Sequence, residues 1–256
     1  MAPVDPALLA EAVDLLQQAG ELTLRWFRDV ELDIERKGDG TPVTAADKAA
    51  ERFLREEIAR RHPDDTIIGE EEATRVGTSG RTWTIDPIDG TKAFTRGVAL
   101  YCNLLAIDDA DGPAVGVINM PALGETVSAG RGLGCFFNGV PTRVSTHASI
   151  ERAHISSSTF GNWPDDLLLR VRSEHANLRT WGDGYGYALV ATGRIEAMID
   201  PQVALWDVAP MPIILAEAGG RFSAWDGVAD PSRGSGIATN GVLHEDLLAI
   251  LNDPAA

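Results

Sequence analysis

The sequence predicts a layered α/β protein (α+β layered). Three observations predict this class: helical periodicity at the start of the chain, a run of strand-like segments joined by tight turns, and a second half in which strands and helices alternate. The length of 256 residues suffices for one large domain or two closely packed lobes. We predict a boundary near residues 145–150. It separates an N-terminal α+β lobe, residues 1–148, from a C-terminal α/β lobe, residues 149–256, within one compact unit.

Two helices are predicted before the first strand. Apolar residues at helical spacing, from Leu8 to Leu22, predict a helix over residues 6–28. A second pattern begins at Thr44 and stops at His62, because Pro63 disfavours continuation of the helix. Strands are then predicted over residues 66–69, 82–85, 101–107, 115–118 and 126–129, with tight hairpin turns at 130–134 and 138–139.

The second half is predicted to alternate between strands and helices. Strands are predicted over residues 153–157, 178–180, 195–199, 221–224 and 236–239. Helices are predicted over residues 164–173, 184–192 and 208–218, and from residue 243 onward. Gly219 and Gly220 provide a C-terminal stop signal for the third of these helices.

The composition argues against several classes of protein. A net charge of −16 disfavours a nucleic-acid partner, which requires a basic surface. We expect no membrane partner, because no apolar run is long enough to span a bilayer, and the acidic N-terminus does not resemble a secretory signal. Two cysteines, Cys102 and Cys135, are too few for a disulfide framework, so we expect a cytoplasmic protein.

Acidic residues recur at the ends of predicted elements. Glu70 follows an apolar strand, Asp86 and Asp89 lie in a strand-to-turn segment around Pro87, and Asp207 begins an apolar helix. Proline stiffens such a turn, so two acids three residues apart can point into one pocket. Nearby buried carboxylates repel each other and favour a cation between them. Oxygen ligands without His or Cys select Mg²⁺, Mn²⁺ or Ca²⁺ over zinc.

Each acid also has an ordinary structural interpretation. Asp86 and Asp89 are typical turn formers, and Asp207 is a typical helix N-cap. Residues 70–72 are a typical solvated charge run. Taken singly, each acid fits its structural role better than a functional one. The complete set in this order is much harder to explain without a function.

The motifs resemble the inositol monophosphatase superfamily over nearly the whole chain. The matching segments are Gly-Glu-Glu at 69–71, Asp-Pro-Ile-Asp-Gly-Thr at 86–91, Trp-Asp at 206–207, Val-Thr-Ala-Ala-Asp at 43–47, the glycine-rich hairpin at 130–139 and Val-Ala-Thr-Gly at 190–193. The resemblance implies an inositol monophosphatase-like fold with layers in the order αβαβα. It also implies a phosphatase that uses metal-activated water, and a homodimer.

The resemblance implies a role for each matching residue. The implied metal ligands are Glu70, Asp86, the Ile88 carbonyl, Asp89 and Asp207, which would hold two or three Mg²⁺ ions, with Mn²⁺ as an alternative. Glu70 is also counted among the catalytic residues, together with Asp47 and Thr91, which would orient and deprotonate the attacking water. Backbone N–H groups of Gly90 and Thr91 would bind the phosphate. Asp47 also fits a capping box with Thr44.

The segment 179–187 resembles the histidinol-phosphatase branch of the superfamily, as does Lys92 after Thr91. The predicted substrate-binding residues are Arg179, Asp183, Asp200 and Asp207. Carboxylates suit the ammonium and imidazole groups of L-histidinol phosphate. Asp183 also fits an N-cap and Asp200 a turn, and inositol-type members often carry Glu where this chain has Asp200. Inositol 1-phosphate and fructose 1,6-bisphosphate are the alternative substrates, and a metal-binding regulatory protein is the alternative class.

Overall fold

The computed structural model describes residues 2–30, 33–36, 38, 40 and 42–252. In these residues the helices are α1 (Pro6–Leu24), α2 (Ala45–Arg61), α3 (Thr91–Phe94), α4 (Asp165–Ser173), α5 (Asp183–Ala191), α6 (Leu205–Val208), α7 (Met211–Ala218) and α8 (His244–Asn252). The strands of the first half are β1 (Ile34–Arg36), β2 (Pro42–Thr44), β3 (Thr66–Gly69), β4 (Thr82–Asp89), β5 (Cys102–Asp109), β6 (Gly112–Met120), β7 (Glu125–Gly130), β8 (Gly134–Phe137) and β9 (Val140–Thr142). Those of the second half are β10 (His154–Ser156), β11 (Asn177–Arg179), β12 (Ala197–Asp200), β13 (Arg221–Ser223) and β14 (Gly236–Thr239).

Two main sheets organise the described chain. The first has seven strands in the order β3-β4-β5-β6-β7-β8-β9 and is antiparallel except for the β3–β4 pair. The second has five strands in the order β11-β10-β12-β14-β13, with β10 parallel to both neighbours. Strands β1 and β2 form a separate two-stranded ribbon, which the sequence patterns did not predict.

Helices cover both faces of the two sheets. Apolar residues of α1 and α2, such as Leu15 and Leu54, pack on one face of the seven-stranded sheet. Residues of α5 and α7, such as Leu189 and Ile214, lie in a core that unites both sheets. Helices α4 and α8 cover the outer face of the five-stranded sheet. The resulting order, helices, sheet, helices, sheet, helices, confirms the predicted αβαβα layering.

The chain passes between the two sheets in residues 143–153, the interval in which we predict the lobe boundary. The central core contains residues from both sides of this interval, including Leu104, Ile118, Leu189 and Ile214. A shared core favours close packing of the two halves. The two halves therefore share one continuous core, and their division into lobes at residue 148 stays a prediction.

Two predicted helices differ from the structure by more than one residue at an end. The segment predicted as one helix over residues 208–218 begins earlier, at Leu205, and is interrupted at Ala209 and Pro210. Proline has no N–H to donate, so it is better accommodated at the cap of α7 than inside a continuous helix. The first helix ends at Leu24 rather than at residue 28. In the described chain, no helix combines the length and the apolar character needed to cross a membrane.

Candidate active site

The two acids of β4 lie on the same side of the strand because the strand is irregular. In a regular strand, residues three apart point to opposite faces. The pairing of β4 with β5 shifts by one residue between Asp86, opposite Leu104, and Asp89, opposite Cys102. Such a shift reverses the alternation of side chains and re-aims them. It brings carboxylate oxygens of Asp86 and Asp89 within 4.8 Å of each other and of Asp207.

Hydrogen bonds within the turn hold the backbone between these acids. Asp86 Oδ1 accepts a hydrogen bond from Ile88 N at 3.0 Å, and the Ile88 carbonyl accepts one from Thr91 Oγ1 at 3.0 Å. From β5, the buried Asn103 amide donates to the Pro87 carbonyl at 2.6 Å. Asp86 thus fills its predicted turn-forming role, and it does so through one carboxylate oxygen, Oδ1.

Asp207 reaches the cluster from the second half of the chain. It is the third residue of α6, and its Oδ2 accepts a hydrogen bond from Ala204 N at 2.8 Å. Asp207 therefore caps α6 from position N3, and the N-cap position, predicted for Asp207, is occupied by Ala204. Asp89 Oδ2 similarly accepts a hydrogen bond from Gly184 N at the start of α5. Each of the two acids keeps a second oxygen that can bind a cation.

The carboxyl groups of the cluster hold protons unusually strongly. Burial raises the pKa of Asp86 and Asp89 well above the usual value, and neighbouring carboxylates raise it further. Burial, with Glu70, Asp183 and Asp200 nearby, raises the pKa of Asp207 to about 7. Only 1% of Asp86 and 7% of Asp89 is exposed to solvent. Water therefore does little to relieve the repulsion between these charges.

The acid cluster fits a hard divalent cation. Within the described chain, none of Asp86, Asp89 and Asp207 forms an ion pair with Lys or Arg. The donors are all carboxylate oxygens, which Mg²⁺, Mn²⁺ and Ca²⁺ prefer. A cation at this position would neutralise the charges that burial and mutual repulsion oppose.

Glu70 lies at the edge of this cluster, directly after β3. Its carboxyl group contacts that of Asp86 and contributes to the raised pKa of the latter. Its charge also contributes to the raised pKa of Asp47 and Asp207. The structure therefore brings Asp86, Asp89 and Asp207 together, with Glu70 beside Asp86 and the Ile88 carbonyl in the turn that follows Asp86.

Asp47 combines a cap with an unpaired oxygen. Its Oδ2 accepts hydrogen bonds from the hydroxyl of Thr44 and from Thr44 N at 2.8 Å, which completes the predicted capping box. Its Oδ1 is buried and has no hydrogen-bond partner among the described residues. Burial, with the Glu70 charge nearby, raises the pKa of Asp47 to about 6. Thr91 donates its hydroxyl proton to the Ile88 carbonyl.

Gly90 is needed at its position for two reasons. Its φ of 80° lies in the left-handed region that favours glycine. A Cβ atom at Gly90 would also lie 2.9 Å from Asp183 Oδ2. The turn can therefore follow the course that leads from Asp89 into α3 only with glycine at this position.

Two adjoining cavities surround the acids. The larger, of about 410 Å³, is lined by Glu70, Gly90 and Thr91 among others, and the smaller, of about 210 Å³, by Asp89, Asp200 and Asp207 among others. Four residues line both cavities: Lys92, Ser158, Thr159 and Asp183. A larger cavity of about 570 Å³ lies elsewhere, beside α7 and β8, but it contains none of the clustered acids. Volume alone therefore does not locate the site.

Asp183 and Asp200 occupy different positions in the smaller cavity. Asp183 has a left-handed φ of 55°, and burial, with the Asp200 charge nearby, raises its pKa to about 6. Asp200 is 3% exposed and accepts four hydrogen bonds: from Ser157 Oγ at 3.1 Å, Ser158 N at 2.8 Å, Ser158 Oγ at 3.0 Å and Tyr187 Oη at 3.1 Å. Asp183 is thus the more available acid.

Arg179 lies apart from the acids. Its guanidinium group stacks over Trp181 at 5.6 Å from the ring centre and donates to the Leu178 carbonyl at 2.8 Å. Arg179 lines neither of the two cavities that contain the acids. The structure therefore does not bring Arg179 to the other predicted substrate-binding residues.

Sequence reasoning missed Ser158 as a site residue. Ser158 Oγ accepts a hydrogen bond from Asp183 N at 2.8 Å and donates one to Asp200 at 3.0 Å. Ser158 therefore links β10, α5 and β12 where the two cavities meet. The available signal was a run of hydroxyl residues, 156–159, at the end of a predicted strand, where scaffolds often display functional groups.

Fold and site together define a layered α/β protein with a buried acid cluster that suits a divalent cation. More particularly, the chain belongs to the inositol monophosphatase family, whose model matches residues 6–254. A histidinol-phosphatase of Mycobacterium tuberculosis is 39% identical over 250 residues, which cover 94% of this chain and 96% of that protein. A fructose-1,6-bisphosphatase/inositol-1-monophosphatase of Thermotoga maritima is 31% identical over 244 residues, covering 94% of each chain.

Solved structures share the same fold. An extragenic suppressor protein of Bartonella henselae superposes with a TM-score of 0.90 at 27% identity, covering 97% of this chain and 99% of that one. These comparisons confirm the family resemblance and the fold predicted from the sequence. The protein is therefore a phosphatase, a phosphoric monoester hydrolase, of a family that generally uses divalent metals.

Proposed function

We propose that the protein is a Mg²⁺-dependent phosphatase that hydrolyses L-histidinol phosphate to L-histidinol and phosphate. The observation that carries this proposal is the row of acids in the smaller cavity, which continues from the acid cluster at Asp89 and Asp207 to Asp183 and Asp200. A substrate with a phosphate at one end and cationic groups at the other matches this charge pattern. The relative from Mycobacterium tuberculosis, named a histidinol-phosphatase, supports the same substrate.

The chain's own residues divide the reaction between them. Glu70, Asp86, the Ile88 carbonyl, Asp89 and Asp207 would hold the Mg²⁺ ions, two or three in number, or Mn²⁺ in their place. When bound, such ions supply Lewis-acid stabilisation of charge and lower the pKa of a bound water. Phosphate hydrolysis needs this help because its uncatalysed rate is extremely low.

The start of α3 provides the groups that bind the phosphate, and α2 provides the group that accepts the proton. The backbone N–H groups of Gly90 and Thr91 bind the phosphate oxygens at the wall of the larger cavity. The buried Oδ1 of Asp47, which has no partner in the described chain, is the acceptor we assign to the proton of the attacking water. The raised pKa of Asp47, about 6, suits a group that accepts a proton near neutral pH. Thr91 orients the same water.

The substrate's ammonium and imidazole groups would lie in the smaller cavity. Asp183 offers a carboxylate there, and the metal ligand Asp207 borders the same space. Asp200 lines the cavity too, and its four hydrogen bonds hold Ser158 and Tyr187 around the substrate. Arg179 remains a predicted substrate residue. It could take part only through a change in position, since it stacks on Trp181.

A second candidate substrate is a phosphorylated polyol such as inositol 1-phosphate. The observation that favours it is the hydroxyl and amide rim of the smaller cavity, formed by Ser158, Thr159, Asn162 and Gln202. Such groups can both donate to and accept from a polyol hydroxyl. The relative from Thermotoga maritima, which acts on fructose 1,6-bisphosphate and inositol 1-phosphate by its name, supports this alternative.

A comparison of four substrates tests the proposal. Phosphate release is measured from L-histidinol phosphate, inositol 1-phosphate, fructose 1,6-bisphosphate and adenosine bisphosphate, with Mg²⁺ added and withheld. We expect kcat/KM to be highest for L-histidinol phosphate, by about tenfold or more, as one well-placed ion pair provides. Equal rates on all four would overturn the substrate assignment. Metal binding without any phosphate release would favour a regulatory protein instead.

The proposal also includes the setting of the reaction. We expect the protein to be cytoplasmic and, from the family resemblance, to form a homodimer. Sedimentation in solution tests the second expectation, because it compares the mass of the particle with the 27.4 kDa of one chain. Cys102 and Cys135 are both buried as thiols, which suits a reducing compartment.

A further inference from the structure

The loop that carries Glu70 is held from behind by a carboxylate on α2. Glu51 Oε2 accepts a hydrogen bond from Glu71 N at 2.7 Å, and Glu51 Oε1 accepts one from Glu72 N at 2.9 Å. These are the two N–H groups that directly follow Glu70. Glu51 itself is completely buried. A buried carboxylate that binds successive backbone N–H groups fixes the course of a loop strongly.

Arg55 holds the same loop through its carbonyl groups. Its Nε donates to Glu51 Oε1 at 2.7 Å, one turn earlier on the helix. Its Nη2 donates to the Glu72 carbonyl at 2.7 Å and its Nη1 to the Ala73 carbonyl at 3.1 Å. The side chain of Arg55 is only 11% exposed. Arginine suits this task because its planar guanidinium group can donate to several acceptors at once.

The residue before Glu70 is matched to this pair. A Cβ atom at Gly69 would lie 2.3 Å from Glu51 Oε1 and 2.8 Å from Arg55 Nη2. Only glycine therefore lets the pair approach the backbone at the end of β3. Glu70 thus follows a glycine that leaves room for Glu51 and Arg55, and it precedes two N–H groups that donate to Glu51.

Helix α2 connects this arrangement to the active site. Asp47 lies one turn before Glu51 on the same helix, and the Glu70 charge contributes to its raised pKa. We propose that Glu51 and Arg55 are positioning residues, which hold the Glu70 carboxylate against Asp86 so that the metal site is formed before a cation binds. This inference rests on the proposed role of Glu70 as a metal ligand.

The test compares Mg²⁺ binding in four variants. Glu51→Gln places an NH₂ group against backbone N–H groups or Arg55, so it breaks the contact with little change in volume. We expect its Mg²⁺ affinity, measured by titration calorimetry, to fall about ten- to a hundredfold, as is common when residues that orient metal ligands are changed. We expect kcat to recover at saturating Mg²⁺, because the ligands and the residues that bind water and phosphate are unchanged.

Glu57→Gln is the matched control. Glu57 lies on the same helix and pairs with Arg60 at 2.7 Å and Arg61 at 2.9 Å, but these contacts do not involve the Glu70 loop. We expect this variant to bind Mg²⁺ like the unchanged protein. If both variants lose affinity equally, the effect is a general consequence of losing an ion pair on α2, and the inference is wrong.

Arg55→Lys keeps the inference testable if Glu51→Gln does not fold. A single ammonium group keeps the charge opposite Glu51 but cannot reach both carbonyls as the guanidinium does. We expect a smaller loss of Mg²⁺ affinity in the same direction. Unchanged affinity in whichever of these two variants folds would overturn the inference.

Glu70→Gln separates this inference from the proposed function. If Glu70→Gln weakens Mg²⁺ binding while the Glu51 and Arg55 variants do not, Glu70 is a ligand but the pair does not position it. If Glu70→Gln leaves Mg²⁺ affinity unchanged, the ligand assignment itself is wrong, and the positioning role fails with it.

Discussion

Two acids of the candidate site combine a structural contact with a position that suits the proposed function. Asp86 binds the N–H group of Ile88 and also faces other carboxylates, and Asp47 caps α2 and also keeps an unpaired buried oxygen. The structural roles predicted for these acids are therefore compatible with functional ones. A buried acid among other acids lowers the stability of the metal-free protein, since its charge has neither water nor a counterion.

Asp86→Asn is expected to abolish turnover without harming the fold. The amide can still accept the hydrogen bond from Ile88 N, but it removes one charged ligand, so phosphate release at saturating Mg²⁺ should fall on the order of a hundredfold or more. In chelator, the variant should melt no lower than the unchanged protein. Asp226→Asn, at a half-exposed acid paired with Arg233, is the control. Full activity in Asp86→Asn would contradict the metal mechanism.

At the scale of elements, a row of buried amides supports the turn of β4. Asn119 Nδ2 donates to Asn103 Oδ1 at 3.0 Å, and Asn103 Nδ2 donates to the Pro87 carbonyl. Thr126 Oγ1 donates to Asn119 Oδ1 at 3.0 Å. The row crosses from β7 through β6 and β5 to the end of β4. It replaces backbone pairing where the register of β4 shifts.

Gly20 of α1 lies against this row. A Cβ atom at Gly20 would lie 2.3 Å from Asn119 Nδ2 and 2.8 Å from Asn103 Oδ1. Gly20→Ala should therefore lower the free energy of unfolding by about 1–3 kcal/mol through overpacking, although alanine is usually the better helix former. Urea unfolding measures the change. Gly38→Ala is the control and should be nearly neutral, since a Cβ atom there would meet no atom of the described residues within 4 Å.

Sequence patterns predicted most elements but not the details that shape the site. Periodicity located α1, α2, β3 to β7 and β10 to β14 but not β1, β2, β8 or β9. Burial on one face fixes the spacing of apolar residues in the elements that were found. The register shift between Asp86 and Asp89 depends on pairing with β5, which is distant in the chain. Likewise, the approach of Glu51 to Gly69 depends on how α2 packs beside β3. Contacts between distant segments leave no periodic signal.

For the whole molecule, the acids link stability to pH and to metal. In the folded chain, the pKa values of Asp47 and Asp183 are raised to about 6 and that of Asp207 to about 7. Such groups stabilise the fold fully below their unfolded pKa, near 3.8, and this stabilisation is lost as pH rises through the folded value. A bound cation would reverse the loss, since it favours the charged carboxylates.

The melting temperatures of Mg²⁺-loaded and chelated protein should therefore diverge as pH rises from about 5 to about 8. Each proton that the folded state alone retains changes the free energy of unfolding by about 1.4 kcal/mol per pH unit. Thermal unfolding is measured with Mg²⁺ and with chelator at each pH. Subtracting the two melting temperatures cancels the contribution of titratable groups outside the site, which is the same in both. Asp207→Asn should reduce the divergence. A difference independent of pH would contradict the assignment of Asp207 to the metal site.

The position of Asp207 in the chain also has a consequence for biosynthesis. Asp86 and Asp89 lie in the first half of the chain, and Asp207 belongs to α6 beyond the first strands of the second sheet. A ribosome that adds about 5–20 residues per second completes the first pair roughly ten seconds before it reaches Asp207. A nascent chain therefore carries a partial acid cluster for that interval. If Asp207 is a ligand as proposed, the cation can reach its full coordination only after Asp207 has been added and the second sheet has packed against the first.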